Sequence, residues 1–516
     1  MDNNGVGSWL HRRRPKSGPK PALICADRVV SYDGLADRAD RLANALRARG
    51  VAKRDRVAYL GENDPSFVET FFACGLLGAI FVPLNTRLAA PELQFQLQDS
   101  GARYLINAAG LEPLAAAAVA GTSVVTRFLV EPDNGPAGSG EKLSPGVECY
   151  DDVINASEAA PIDTPVSHDD GAMILYTSGT TGQPKGALLT HGNITWNSIN
   201  AVIDMDTSRN DVALLIAPLF HVAALGMGLL PIILKGGTAV LESKFIPSRV
   251  LELIQQYKVT TLSGVPTTFQ MLCEEPTWAT TDLTSLTKLS CGGSAVPGRV
   301  LDTYEARGIG FSNCYGMTET APGATMLPSD RSQEKAGSAG LPHFFTDIRI
   351  ATRAGSMAGP GETGEIQISG PNVIKEYWNR SEATAASYAD VVWFRSGDMG
   401  HVDDEGFLFV SDRIKDMIIS GGENVYPAEI EAVISELDEV ASVAVIGVDD
   451  EKWGEVPRAI ITLREGARLT EEQLRNHLTG RLARYKIPKS VIFTTDMPRT
   501  ASGKIRKAEL RNQFAR

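Results

Sequence analysis

The stretch Tyr176-Thr-Ser-Gly-Thr-Thr-Gly-Gln-Pro-Lys185-Gly186 constrains this chain more than any other. The apolar run Ala172-Met-Ile-Leu-Tyr176 leads into it and reads as a buried strand. Four hydroxyl residues, Thr177, Ser178, Thr180 and Thr181, sit among the glycines Gly179, Gly182 and Gly186. A loop of this kind turns tightly and presents backbone N–H groups to a phosphate chain, with the hydroxyls as further donors and Lys185 as a point charge. It is not a Walker loop, because that pattern ends in Gly-Lys-Ser/Thr and here the lysine follows proline. A flexible linker of the same composition rarely follows a buried strand or closes on Pro-Lys-Gly.

A chain of 516 residues is long for one core, so two or more domains are expected. The net charge of −12 argues against a general nucleic-acid binder, and it gives a polyanionic ligand no help from the overall field. Local cations and backbone dipoles must do that work. The six cysteines form no Cys-x-x-Cys pair and no His/Cys metal spacing, which fits reduced thiols in the cytoplasm. No transmembrane segment is expected, because the longest charge-free stretch, Val212 to Leu234, is broken by Pro218, His221 and Pro231. The cluster His11-Arg-Arg-Arg14 with Lys16 and Lys20 reads as a solvated surface that could make weak peripheral contact with an anionic membrane.

Along the chain, helix and strand patterns alternate, which predicts a layered α/β architecture. Leu35, Ala39, Leu42 and Leu46 fall at helical spacing with Gly50 behind them, Arg56 to Leu60 reads as a strand, and Ser66 to Phe81 as an apolar helix. Gly364 to Gly370 alternates as a strand, and residues 371–410 read as a compact β-rich subdomain. After the charged run Asp412-Arg-Ile-Lys-Asp416, a helix opening at Pro427, strands at Ser442–Val448, Ala459–Leu463 and Ser490–Thr494 and a helix at Glu471–Arg484 predict a small α+β domain. The expected division is therefore 1–411, a hinge at 412–416, and a mobile domain at 417–516.

The loop at Tyr176–Gly186 resembles the phosphate loop of the adenylate-forming superfamily, which holds acyl-CoA synthetases, peptide-synthetase adenylation domains and luciferases. Further matching motifs follow in order: Tyr315-Gly-Met-Thr-Glu-Thr320, Trp393-Phe-Arg-Ser-Gly-Asp398, Asp412-Arg-Ile-Lys-Asp416, Gly421-Gly-Glu-Asn-Val-Tyr-Pro427 and Pro498-Arg-Thr-Ala-Ser-Gly-Lys504. The resemblance covers essentially the whole chain and is nearest to bacterial medium- and long-chain fatty acyl-CoA synthetases.

That resemblance implies roles for individual residues. Thr177, Ser178, Gly179, Thr180, Thr181, Gly182 and Lys185 would hold the ATP phosphates. Gly292, Gly293 and Ser294 would lie beside adenine, with Tyr315, Gly316 and Met317 packing on the nucleotide. Thr318 would contact the α-phosphate, Glu319 would hold Mg²⁺, and Asp398 and Arg413 would take the ribose. His221 would gate an acyl pocket that includes Gly226, Gly316 and Pro322. Ser420, Gly421 and Gly422 would line a CoA tunnel, Lys415 would be the hinge, and Lys504 the lysine of adenylation. The pocket segments carry no arginine or lysine, which points to a monocarboxylic acid, and glycines at 226, 228, 292, 293, 316 and 323 leave room for a long or broad acyl group. The expected activity is an acyl-CoA synthetase for a medium- or long-chain fatty acid. An aryl-CoA ligase of the coumarate or benzoate type and an adenylating amide synthetase are the alternatives.

Overall fold

The structure is a computed structural model. It describes residues 2–131, 143–177, 184–292, 296, 298–352, 354–413, 416–420, 423–450, 453–479, 481–500 and 503–515. The side chains of Asp412, Arg413, Ile419, Glu423 and Asn424 lie outside that description.

Strand patterning resolves into four sheets. In the first, the strands Phe311–Gly316, Lys288–Gly292, Thr261–Gly264, Val212–Leu215, Thr238–Leu241 and Pro21–Cys25 run side by side in parallel, with antiparallel strands at both edges. In the second, Gly171–Thr177 runs parallel to Ile80–Pro83 and antiparallel to Lys185–Thr190, which in turn pairs with the short strand Glu376–Tyr377. A four-stranded antiparallel sheet ends at Leu408–Arg413, and a five-stranded sheet begins at Ile418–Ser420.

Burial explains the grouping. One continuous core takes Leu23 and Ala239 from the first sheet, Val57 and Phe81 from the second, and Ile366 and Phe394 from the third. The five-stranded sheet buries its two faces in separate clusters, around Ile430, Val445 and Ile461, and around Ile446, Ile460 and Leu510. The chain thus changes sheet and core between Arg413 and Ile418, a span that overlaps the expected 412–416. Among the described residues no helix is long and apolar enough to cross a membrane.

Two expected helices are shorter than their apolar runs. The helix expected over Ser66 to Phe81 is Pro65–Leu77, capped by the Asp64 carboxylate and ended by Gly78 in a left-handed conformation (φ 67°). The chain then turns into the strand Ile80–Pro83. Every residue from Pro65 to Leu77 is buried, so polarity does not mark the change from helix to strand. The helix expected over Glu471 to Arg484 ends at Leu478, where Thr479 turns extended and its hydroxyl bonds the Arg475 carbonyl at 2.8 Å.

Candidate active site

Lys185 opens its strand directly opposite Thr177, at the far end of the hydroxyl-rich stretch. Ser178, Gly179, Thr180, Thr181 and Gly182 within it lie outside the described residues. The stem is firmly held. Tyr176 Oη donates to Asp99 Oδ2 at 2.9 Å, Trp378 Nε1 donates to the Asp99 carbonyl at 3.1 Å, and Trp378 N donates to the Gly186 carbonyl at 2.7 Å.

Lys185 and Glu319 come from different sheets, and Tyr377 joins them. The Lys185 ammonium lies 5.5 Å from the centroid of the Tyr377 ring, and Tyr377 Oη donates to Glu319 Oε1 at 2.7 Å. Burial, followed by the Glu319 carboxylate, raises the Tyr377 phenol well above its ordinary value, so it stays a donor. The Glu319 carbonyl also accepts from Ile374 N at 2.9 Å.

The turn at Tyr315–Thr320 is locked from behind. Met317 N donates to the Pro322 carbonyl at 3.0 Å, and Asn372 Nδ2 donates to the carbonyls of Thr320 and Gly323 at 2.8 and 2.7 Å. In front, Tyr315 Oη donates to Asp398 Oδ2 at 2.7 Å. Asp398 follows Gly397, whose positive φ of 73° sets the kink in the strand, and it lies opposite Arg413 in the sheet. Gly292 ends the neighbouring parallel strand beside Cys314, while Gly293 and Ser294 lie outside the described residues.

His221 follows a loop pinned by Asn63. The Asn63 amide donates to the carbonyls of Ala217 and Glu242 at 3.0 and 3.1 Å and accepts from Leu219 N at 2.8 Å. A π-helical turn, Ala224–Leu229, comes next, a geometry that recurs at functional sites. His221 Nε2 is buried without a partner among the described residues. Burial, then the charges of Arg87 and Lys504, pushes the imidazole down to about 4, so the ring is neutral at pH 7.

Lys504, in the small domain, thus contributes to the field at His221. It closes a tight turn in which Thr500 N donates to the Lys504 carbonyl at 2.7 Å and Gly503 has φ 84°. A Cβ on Gly503 would lie 3.3 Å from Val265 Cγ2 and 3.6 Å from Thr267 Oγ1, so this turn sits on the large domain. An Arg464–Glu274 ion pair at 2.7 Å also crosses between the domains. Ser420 is buried in the strand Ile418–Ser420, while Gly421, Gly422 and Lys415, the expected hinge residue, lie outside the described residues.

The pocket glycines do not leave the expected room. A Cβ on Gly226 would meet the Ala321 carbonyl and Pro322 Cδ at 2.7 Å, and one on Gly228 would meet Leu215 Cδ1 at 2.6 Å. A Cβ on Gly316 would run into the Pro322 carbonyl, and one on Gly323 would meet His343 Nε2 at 2.6 Å. Gly226 and Gly316 are filled by backbone carbonyls, whereas Gly228 and Gly323 are filled by the side chains of Leu215 and His343. Among the described glycines of this set, Gly292 has ordinary space, with its nearest atom, the Cys314 carbonyl oxygen, 3.7 Å away. Gly226, Gly316 and Pro322 are nonetheless brought together, and Asn197 ties them by donating to the Gly226 carbonyl and accepting from Gly323 N, each at 2.9 Å.

Among the described residues no cluster of three His, Cys, Asp or Glu side chains could cage a metal. Glu319 alone still suits Mg²⁺, which is commonly held by one carboxylate together with substrate phosphates. Sequence reasoning missed Tyr377, Asn63, Asn197 and Asn372. The asparagines Asn193, Asn197 and Asn200 repeat at helical spacing within His191–Asp204, and that polar stripe was the available signal.

The comparisons with known proteins agree with this geometry. Residues 10–378 match the AMP-binding enzyme family and residues 429–504 its C-terminal domain. The chain belongs to this family of adenylate-forming enzymes. Within it, the chain falls in the acyl-CoA synthetase branch. It is 48% identical over 514 residues to a feruloyl-CoA synthase of Amycolatopsis sp, covering 100% of both chains. It is 41% identical to an indoleacetate–CoA ligase of Aromatoleum aromaticum, covering 99% of this chain and 98% of that one. It is 38% identical to the long-chain-fatty-acid–CoA ligase FadD13 of Mycobacterium tuberculosis, covering 98% of each. The fold superposes on ATP-bound MatB from Rhodopseudomonas palustris with a TM-score of 0.91 at 31% identity, covering 99% of both chains. Against apo MatB the score is 0.80.

Proposed function

We propose that this chain is an ATP-dependent ligase that activates an aromatic monocarboxylic acid and transfers its acyl group to CoA. In the first step a carboxylate oxygen attacks the α-phosphorus of ATP, the bond to the β-phosphate oxygen breaks, and pyrophosphate leaves. Two anions meet there, so catalysis rests on positive charge placed where negative charge gathers. Lys185 serves the phosphates, Thr318 the α-phosphate, and Lys504 the carboxylate and α-phosphate together. Neutral His221 flanks the carboxylate without adding charge. Mg²⁺ held by Glu319 would neutralise phosphate charge. Tyr315 with Asp398 and Arg413 would hold the nucleoside.

In the second step the CoA thiol sulfur bonds to the acyl carbon, AMP leaves with the former carboxylate oxygen, and the thiol proton is released. Ser420, Gly421 and Gly422 belong to the small domain and would line the thiol's approach after that domain turns about 412–416. Lys415→Pro should spare first-turnover pyrophosphate release and stall thioester formation; rapid-quench data with both steps unimpaired would move the pivot elsewhere.

The turn that ends at Lys504 packs on Val265 and Thr267 of the large domain, which supports the adenylation reading. For the acid, the aromatic reading is carried by the 41% identity with an indoleacetate–CoA ligase, because the filled glycines would crowd a broad ring as much as a long chain. The 48% identity with a feruloyl-CoA synthase points the same way. A fatty acid is the second reading, favoured by the 38% identity with FadD13. Pyrophosphate release measured across hydroxycinnamic, arylacetic and fatty acids, with and without CoA, separates the two. Higher kcat/KM for fatty acids than for every aromatic acid would overturn the aromatic assignment. The six cysteines carry no disulfide, which fits the cytoplasm as its proposed location.

A further inference from the structure

The helix Trp9–Ser17 brings part of the basic cluster against two later segments. Arg13, Lys16 and Ser17 from the helix, with Arg209 and Lys235, line a cleft of about 430 Å³. Among the described residues no acidic side chain lines it. Asp211, whose field reaches the neighbouring Lys20, is already paired with Lys288 at 2.7 Å. In a chain of net charge −12, four cations around one cleft without a counter-charge is an unfavourable arrangement unless an anion enters.

The cleft is built rather than incidental. Lys20 Nζ donates to the carbonyls of Arg209 and Gly236, tying together the segments that carry Arg209 and Lys235. Gly236 has φ 86°, and a Cβ there would lie 2.8 Å from Ser17 Oγ and 3.1 Å from Arg13 Nη1, so the glycine lets the floor close under both groups. Arg13 is half-buried, and burial lowers its guanidinium below the ordinary value, opposed by Tyr32 and reinforced by a smaller repulsion from Arg209.

We propose that this cleft is a second ligand site, for a phosphate-bearing anion. A half-buried guanidinium fork, two lysines, a second arginine and a hydroxyl match a phosphate's several acceptor oxygens better than a single carboxylate. No aromatic ring lines the cleft to stack on a nucleobase. The site is also separate from the reaction. Arg209 and Gly236 precede the strands Val212–Leu215 and Thr238–Leu241, whereas Gly292 and Tyr315 close neighbouring parallel strands of the same sheet at the opposite edge.

The phosphate could belong to a soluble phosphomonoester or to a lipid headgroup, and one experiment distinguishes them. Glycerol 3-phosphate is titrated calorimetrically, and vesicles of phosphatidylcholine with and without phosphatidylglycerol are tested by co-sedimentation. Both are repeated on the double variant Arg209→Glu, Lys235→Glu, whose changes lie on the exposed rim. Near an anionic surface each cation contributes roughly fivefold in affinity, so the variant should lose at least about tenfold. Its acid-dependent pyrophosphate release should be unchanged. Binding of glycerol 3-phosphate that the variant loses supports a soluble ligand, and phosphatidylglycerol-dependent sedimentation that it loses supports a lipid. If wild type binds neither probe, or binds as well as the correctly folded variant does, the proposal is overturned.

Discussion

Tyr315 Oη donates to Asp398 Oδ2 at 2.7 Å, joining the end of a parallel strand to a kinked strand of the antiparallel sheet. The proposed shelf for adenine and the proposed acceptor for ribose are thereby fixed relative to each other before any ligand arrives. Tyr315→Phe keeps the ring and removes the tie. A hydrogen bond to a charged group contributes about 1.5–3 kcal/mol, so the KM for ATP should rise roughly tenfold or more, with the KM for the acid little changed. Equal rises for both substrates would assign the bond a general structural role.

Tyr377 donates to Glu319 beneath the Lys185 ammonium. Tyr377→Phe should leave the fold intact and the Glu319 carboxylate less well oriented. The expected result is a kcat for pyrophosphate release lower by about tenfold, since a positioning hydrogen bond is worth on the order of 1–3 kcal/mol. Half-saturation should also shift to higher Mg²⁺. An unchanged Mg²⁺ dependence would separate Tyr377 from the metal.

The glycines divide by what faces them. Gly316→Ala drives a methyl into the Pro322 carbonyl, and overpacking of this kind costs about 1–3 kcal/mol, occasionally more. Gly292→Ala meets nothing closer than 3.7 Å. Urea midpoints should therefore fall for Gly316→Ala and stay near wild type for Gly292→Ala. Larger side chains at Gly316 would test the fold rather than pocket depth. Equal midpoints for the two alanine variants would contradict this packing.

His191 is fully buried, accepts from Val6 N at 3.2 Å through Nδ1, and has no partner at Nε2 among the described residues. Burial lowers it to about 4 from 6.5, outweighing the opposing field of Asp170. The folded pKa lies below the unfolded one, so the unfolded chain takes up the proton first. Stability is full above about pH 6.5 and is lost as pH falls toward 4, at about 1.4 kcal/mol per pH unit for this group. His221 adds a second slope of the same sign. Chemical denaturation between pH 6.5 and 5 should show a shallower dependence in His191→Gln than in wild type. Identical slopes would mean that His191 does not carry this linkage.

Much of the site was legible because its chemistry sits in short contiguous motifs. Tyr176–Gly186, Tyr315–Thr320 and Pro498–Lys504 each carry their own glycines, hydroxyls and cations. The joins between motifs were not legible. Tyr377 reaches Glu319 because its strand pairs at Ala187, a register that local pattern does not encode. The glycines misled for a related reason: a missing side chain in sequence can mean an open pocket or a neighbour already in place. The helix at Pro65–Leu77 ran on too far in the sequence reading because burial on all sides removes the period that separates helix from strand.

The central claim is that Lys504 acts on the carboxylate and α-phosphate during adenylation alone. Rapid-quench kinetics on Lys504→Ala test it directly, with pyrophosphate release from ATP and a hydroxycinnamic acid measured beside thioester formation from supplied acyl-adenylate and CoA. Removing a preorganised charge-stabilising donor costs roughly 10²–10³ in rate, so adenylation should fall by that factor or more while thioester formation is largely spared. Equal loss in both half-reactions, or full adenylation without the lysine, would contradict the account.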